Sequence, residues 1–270
     1  LSVILKLEYL SPSGSFKDRG VNAMVNQLKN MGVEAVIEDS SGNAGASLAA
    51  QAARFGLQAK IFVPGYASPA KQHQIRVYGA EVVPIEGPRE AAKEAAWAAS
   101  EKGQAYASHA YHPAYLAGQM TAAYELWEQL GKQVPDWIIL PVAQGGQFLG
   151  YWFGFREIQK AGFSDRMPRL VAVQSERVAP LFRAWQEGLD SIPAVSVSEQ
   201  TIAEGIAISK PIRGKRLLQA LRERSGLVLT VNEIDILNAQ KSLGHMGYYV
   251  EPTSAVALAG LERLKEKISV

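Results

Sequence analysis

A lysine stands in the run Ser11-Pro12-Ser13-Gly14-Ser15-Phe16-Lys17-Asp18-Arg19-Gly20, just after a flexible turn and at the start of a segment that reads as helix from near Phe16. A helix start holds such a side chain still, which suits an amine nucleophile. A lysine that forms an imine must lose its proton near neutral pH, and burial or neighbouring positive charge promotes that loss. The same residues also describe a solvated lysine at a helix start, and taken alone they leave both readings open.

Three further stretches have the residue types to hold anions. Ser40-Ser41-Gly42-Asn43-Ala44-Gly45 joins a strand to a helix at the strand's carboxyl end, where open α/β sheets bind ligands. Its backbone N–H groups and hydroxyls converge on a carboxylate or phosphate, and Asn43 can donate to a ring oxygen. The alternative is a helix cap without a ligand. Pro141-Val142-Ala143-Gln144-Gly145-Gly146-Gln147 repeats the strand, turn and helix pattern with glycines that admit an anion close to the main chain. Neither the dinucleotide nor the Walker glycine pattern is present, so a single phosphate group is expected there if the stretch is more than a plain turn. Gly247-Tyr248-Tyr249-Val250-Glu251-Pro252-Thr253-Ser254-Ala255 reads as the end of a strand and a helix start, with Glu251 either facing a ligand or merely preceding a capped helix.

The elements that must position these stretches alternate regularly. Apolar runs at 35–39, 59–63, 81–85, 105–108, 137–142, 170–173 and 227–231 read as strands. Segments of helical period at 44–55, 68–78, 88–103, 116–130, 148–160, 215–223, 232–243 and from Ser254 separate or follow them, with 191–205 less regular. That alternation predicts βαβ units and mostly parallel sheets flanked by helices. The 270 residues suffice for one large α/β domain or two lobes. The 28 basic and 26 acidic side chains leave a net charge of +2 without a basic run, which argues against nucleic acid as partner. There is no cysteine, hence no disulfide, thiolate metal site or cysteine nucleophile, in keeping with a reducing cytoplasm. His73, His109, His112 and His245 lack zinc-type spacing, so no metal is expected. No apolar stretch approaches the roughly 18 residues needed to span a bilayer.

In order and spacing, these motifs closely resemble threonine synthases and their relatives among the fold-type II pyridoxal-phosphate enzymes. The resemblance covers nearly the whole chain and is most specific at Ser15 to Gly20 and Ser40 to Gly45, with Gly247 to Ala255 similar to the family's Gly-x-x-x-Glu-Pro segment. It implies pyridoxal 5'-phosphate as cofactor and Lys17 as the amine that joins it as a Schiff base and shuttles protons, with Phe16 beside the ring. It further implies Asn43 at the cofactor's ring hydroxyl, Ser40, Ser41 and Ala44 at the substrate carboxylate, and Ala143, Gln144, Gly145, Gly146 and Gln147 at the cofactor phosphate, with Glu251 also on the cofactor side.

Two departures bear on the substrate. The family's Asn-Pro-x-Arg-Leu-x-Gly-Gln reads His112-Pro113-Ala114-Tyr115-Leu116-Ala117-Gly118-Gln119 here, so Tyr115 stands where an arginine helps hold a substrate phosphate. The phosphate turn carries Gln144 and Gln147 where asparagines are usual. The family also has a segment before the first strand, in which Leu1 should lie, and a Ser- or Thr-bearing strand after the last helix, so the natural protein is expected to continue past both ends. The resemblance implies two α/β lobes, a smaller one at 11–117 and a larger one made of 1–10 with 118–270, the cofactor between them, and a cytoplasmic homodimer. The expected activity is conversion of O-phosphohomoserine to threonine. A serine or threonine dehydratase or diamino-acid ammonia-lyase is the alternative within the enzymes, and a catalytically silent binding protein the alternative outside them.

Overall fold

The computed structural model describes residues 2–197 and 199–268 of the chain. Packing divides it into two compact units, one up to Thr121 and one from Ala122 onward. In the first unit the order is α1 (Lys17–Asn30), β1 (Ala35–Glu38), α2 (Asn43–Phe55), β2 (Gln58–Pro64), α3 (Pro69–Val77), β3 (Glu81–Ile85), α4 (Arg89–Glu101) and β4 (Ala105–Tyr106), then the start of α5 (Pro113–Gln129). Its four strands form one parallel sheet in the order β3-β2-β1-β4. The second unit continues with β5 (Trp137–Pro141), α6 (Gly146–Lys160), β6 (Arg169–Ser175), α7 (Pro180–Gln186), α8 (Gly214–Glu223), β7 (Leu227–Val231), α9 (Glu233–His245) and α10 (Pro252–Ile268). Its strands β5, β6 and β7 are parallel in that order.

Why these segments fold as they do is visible at α1. Val21, Met24, Val25 and Leu28 recur on one helical face and are buried in the core of the first unit. Each such side chain contributes about 1.5–3 kcal/mol through removal from water. The helix stops at Gly32, whose φ of +83° is easy only for glycine, and Val33 N–H then closes on the Leu28 carbonyl at 3.0 Å. Gly56 and Leu57 end α2 the same way, with Leu57 N–H on the Ala52 carbonyl at 2.8 Å.

The expected fold class, α/β with mostly parallel sheets flanked by helices, is the observed one. Several local expectations are corrected. Residues 2–7 form no strand, and Leu1 lies outside the described residues. Tyr248 to Val250 is not a strand either: Tyr249 is 93% exposed and, among the described residues, no neighbouring strand pairs with it. The helix α7 at 180–186 had no clear signal, because seven residues show barely two turns of periodicity. Ser68 precedes α3 but its side chain makes no capping bond.

Gly20 is required by packing. A Cβ there would lie 2.5 Å from the Tyr115 ring, whereas one at the exposed helical Gly244 would meet nothing within 4 Å. Gly20→Ala is therefore expected to cost about 1–3 kcal/mol by overpacking, and Gly244→Ala to raise stability by up to about 1 kcal/mol through helix propensity. Denaturant unfolding of both variants checks the contrast.

Candidate active site

Lys17 is the first residue of α1 and is half-buried, with its Nζ 3.7 Å from the centre of the Phe16 ring. The turn that carries it is tied from three directions. The Asp18 carboxylate is buried and accepts from Ser13 N–H at 2.7 Å, Ser13 Oγ at 2.6 Å and Ser47 Oγ at 2.5 Å. Gln119 Nε2 donates to the Phe16 carbonyl at 3.0 Å. Arg19 makes a two-pronged ion pair with Glu8, at 2.7 and 2.9 Å. A Cβ at Gly118 would lie 2.2 Å from the Arg19 carbonyl, so the glycine lets α5 approach α1 closely.

The Ser47 bond brings two predicted site residues into one neighbourhood. Ser47 is one turn along α2 from Asn43, on the same face, so the Asp18–Ser47 contact sets the lysine turn against the helix whose start is the Ser40–Asn43 loop. Ser40, Ser41 and Asn43 are half-buried and Ala44 is buried. Gly42 N–H donates to Ser40 Oγ at 3.3 Å, and a Cβ at Gly45 would come within 1.9 Å of the Ser40 carbonyl oxygen. The first-turn N–H groups of α2 have no carbonyl one turn earlier, which makes this end receptive to an anion.

Behind the loop lie two acidic groups that the motifs did not announce. Glu38, fully buried, accepts the His109 backbone N–H at 3.3 Å and faces its ring Nδ1 at 3.2 Å. Burial holds its carboxyl above the ordinary range, while His109 pulls it back down. Asp39 is bonded by the Tyr106 hydroxyl and by Arg89 at 3.0 Å. Burial, then the Asp39 charge, pushes the Tyr106 phenol well above its usual range.

The other predicted residues belong to the second unit. After β5, Val142 is held by β6 through its N–H to the Val173 carbonyl at 2.9 Å, and its own carbonyl accepts from buried Gln174. Gly145 has φ +83° and turns the chain into α6, whose first interior bond runs from Leu149 N–H to the Gly145 carbonyl. The N–H groups before it lack intrahelical partners. A Cβ at Gly145 would strike Leu217 of α8 at 2.6 Å. Gln144 Oε1 accepts from Ile212 N–H at 2.8 Å, so that side chain buttresses the turn as well as lining it. Ala143, Gly146 and Gln147 are half-buried. Glu251 is exposed and its carbonyl starts α10 by accepting from Ser254 and Ala255 N–H.

The family described as pyridoxal-phosphate dependent enzyme matches residues 1–270. The chain belongs to that family. The pyridoxal-phosphate enzymes it resembles include a threonine synthase of Methanocaldococcus jannaschii, 35% identical over 97% of this chain and 65% of that protein. A threonine synthase of Synechocystis sp. is 36% identical over 98% of this chain and 68% of that protein. The chain thus spans about two thirds of the length of these relatives. Among solved structures, a T.th. threonine deaminase superposes with a TM-score of 0.83 at 29% identity, over 96% of this chain and 81% of that one. The fold is that of the fold-type II members. The chain's own residues suit the family's cofactor: a half-buried amine against an aromatic face, an asparagine at an anion-receptive helix start, and a second such start opened by a left-handed glycine.

Motif reading missed Glu38, His109 and the tie from Asp18 to Ser47, since their partners lie 71 and 29 residues away. A carboxyl group whose pKa is raised in the folded state binds its proton more tightly there than when unfolded. The folded form is accordingly favoured in acid and loses stability as pH rises through the raised value. Glu38→Gln is expected to remove that loss, so its stability relative to the natural protein should climb as pH rises above the ordinary carboxylate range. Thermal unfolding across a pH series checks the sign.

Proposed function

We propose that the chain carries out threonine synthase-type chemistry, converting O-phosphohomoserine and water to threonine and inorganic phosphate. The observation that supports it most is the buried Asp18–Ser47 bond, which sets the Lys17 turn beside the Asn43 helix start. Pyridoxal phosphate, when bound, supplies an electron sink for the charge left on the substrate Cα. Lys17 Nζ is the attachment amine and, once displaced by the substrate amine, the base that takes the Cα proton and returns it. Ser40 and Ser41, with the Ala44 N–H, grip the substrate carboxylate and so orient the Cα–H bond toward that nitrogen. Asn43 donates to the ring hydroxyl, Phe16 lies beside the ring, Ala143 to Gln147 receive the phosphate, and Glu251 lies on the cofactor side.

A second reading, dehydration or deamination of serine, threonine or a diamino acid, is favoured by Tyr115. That side chain is 1% exposed and packs on Gly20, so an uncharged ring fills the core where a phosphate-binding arginine would be expected. The structural likeness to a threonine deaminase points the same way.

Borohydride reduction followed by peptide mapping should label Lys17, and Lys17→Ala should lose both the label and turnover. Phosphate release from O-phosphohomoserine supports the first reading, and 2-oxo acid formation from serine or threonine supports the second. Cofactor colour without turnover of either supports a silent binding protein instead.

A further inference from the structure

We propose that Glu38 and His109 form a positioning pair that holds the Ser40–Asn43 loop in register with the lysine-bearing helix, and thereby sets how firmly the substrate carboxylate is gripped. The inference rests on the reading of Ser40, Ser41 and Ala44 as the carboxylate site.

Two lines of contact leave the pair. Along the chain, Glu38 ends β1 and stands two residues before Ser40, so a shift of its side chain is passed to the loop through the strand end. Across the unit, His109 belongs to the turn after β4, which is anchored on β1 by Ala107 N–H to the Ile37 carbonyl at 2.9 Å. Its ring meets the Tyr115 ring at a centroid distance of 6.0 Å and an interplanar angle of 68°. Tyr115 in turn fills the space that Gly20 leaves open, one turn along α1 from Lys17. The pair therefore reaches the anion loop through the end of β1, and the helix that carries the amine through the Tyr115 ring.

A filler at this strand end would be apolar, because burying a carboxylate is costly unless it is hydrogen-bonded. Glu38 instead spends both oxygens on one residue, gripping His109 at the backbone N–H and the ring together. The neighbouring charged groups are engaged elsewhere. Asp39 is held by Arg89 of α4 and Tyr106 of β4, Lys60 on β2 pairs with Glu81 at 3.1 Å, and His112 Nδ1 accepts from Ala114 N–H. His109 is thus the group that orients Glu38.

The holoprotein is titrated with L-alanine, which carries a carboxylate but no leaving group, and with ethylamine, which carries none, following the visible absorption of the bound cofactor. Glu38→Gln is expected to weaken L-alanine about tenfold, the scale of one hydrogen bond near a charged group, and to leave ethylamine unchanged. It should also flatten the pH dependence of L-alanine binding. His109→Gln should do the same, and the double variant should be no worse than either single one, as for residues acting through one contact. Equal losses for both ligands, additive losses, or no loss overturn the pair. Should Glu38→Gln fail to fold, His109→Gln with the same two ligands decides. A natural protein that fails to label at Lys17, or that does not prefer L-alanine over ethylamine, overturns the underlying site assignment instead.

Discussion

Asp18 is buried, where a carboxyl group without hydrogen-bond partners would be costly, and the hydrogen bonds from Ser13 and Ser47 make that burial tolerable. Because those donors come from the turn before α1 and from the second turn of α2, satisfying the buried oxygens forces the two segments together. The placement of the Lys17 turn beside α2 follows from this requirement. Lys17 is the residue next to the buried carboxyl group, and Asn43 lies one turn before the serine that donates to it. Gln74 extends the tie to α3 by donating to the Ser13 carbonyl at 3.1 Å. Position is thus imposed by a solvation demand rather than by contacts of the lysine alone.

The two anion-receptive helix starts are built by different means. At α2, the backbone of Ser40 crosses so close to Gly45 that no side chain fits, and the loop is backed by the buried acidic groups at the end of β1. At α6, the left-handed Gly145 makes the turn, and Leu217 with the Gln144–Ile212 bond presses on it from α8.

Much of the fold was legible because its strands are parallel and some, β6 above all, are buried on both faces. Runs such as Leu170 to Val173 read as uninterrupted apolar segments, and Gly56 marks where α2 must stop. Tyr248 to Val250 shows the limit of such reading, since three β-forming residues make no strand without a partner to pair with. The chemistry-bearing residues Lys17 and Asn43 were visible as local motifs. The groups that hold them were not, because a buried Glu38 looks like any strand-end glutamate until a histidine 71 residues onward is folded against it. Tyr115 was noticed as a missing arginine, but its use as packing for Gly20 is a fact of tertiary structure.

The sheet order β3-β2-β1-β4 places the first strand of the unit next to the last, with Val36 beside Ala105 and Ile37 beside Tyr106. On a ribosome, the 40–43 segment emerges long before the strand that closes its flank. Until then Glu38 has neither His109 nor a dry environment, and it stays hydrated and charged. Loop closure over so long a span is slow relative to helix formation, so the 40–43 loop is made early and gains the backing of His109 only once β4 has docked on β1.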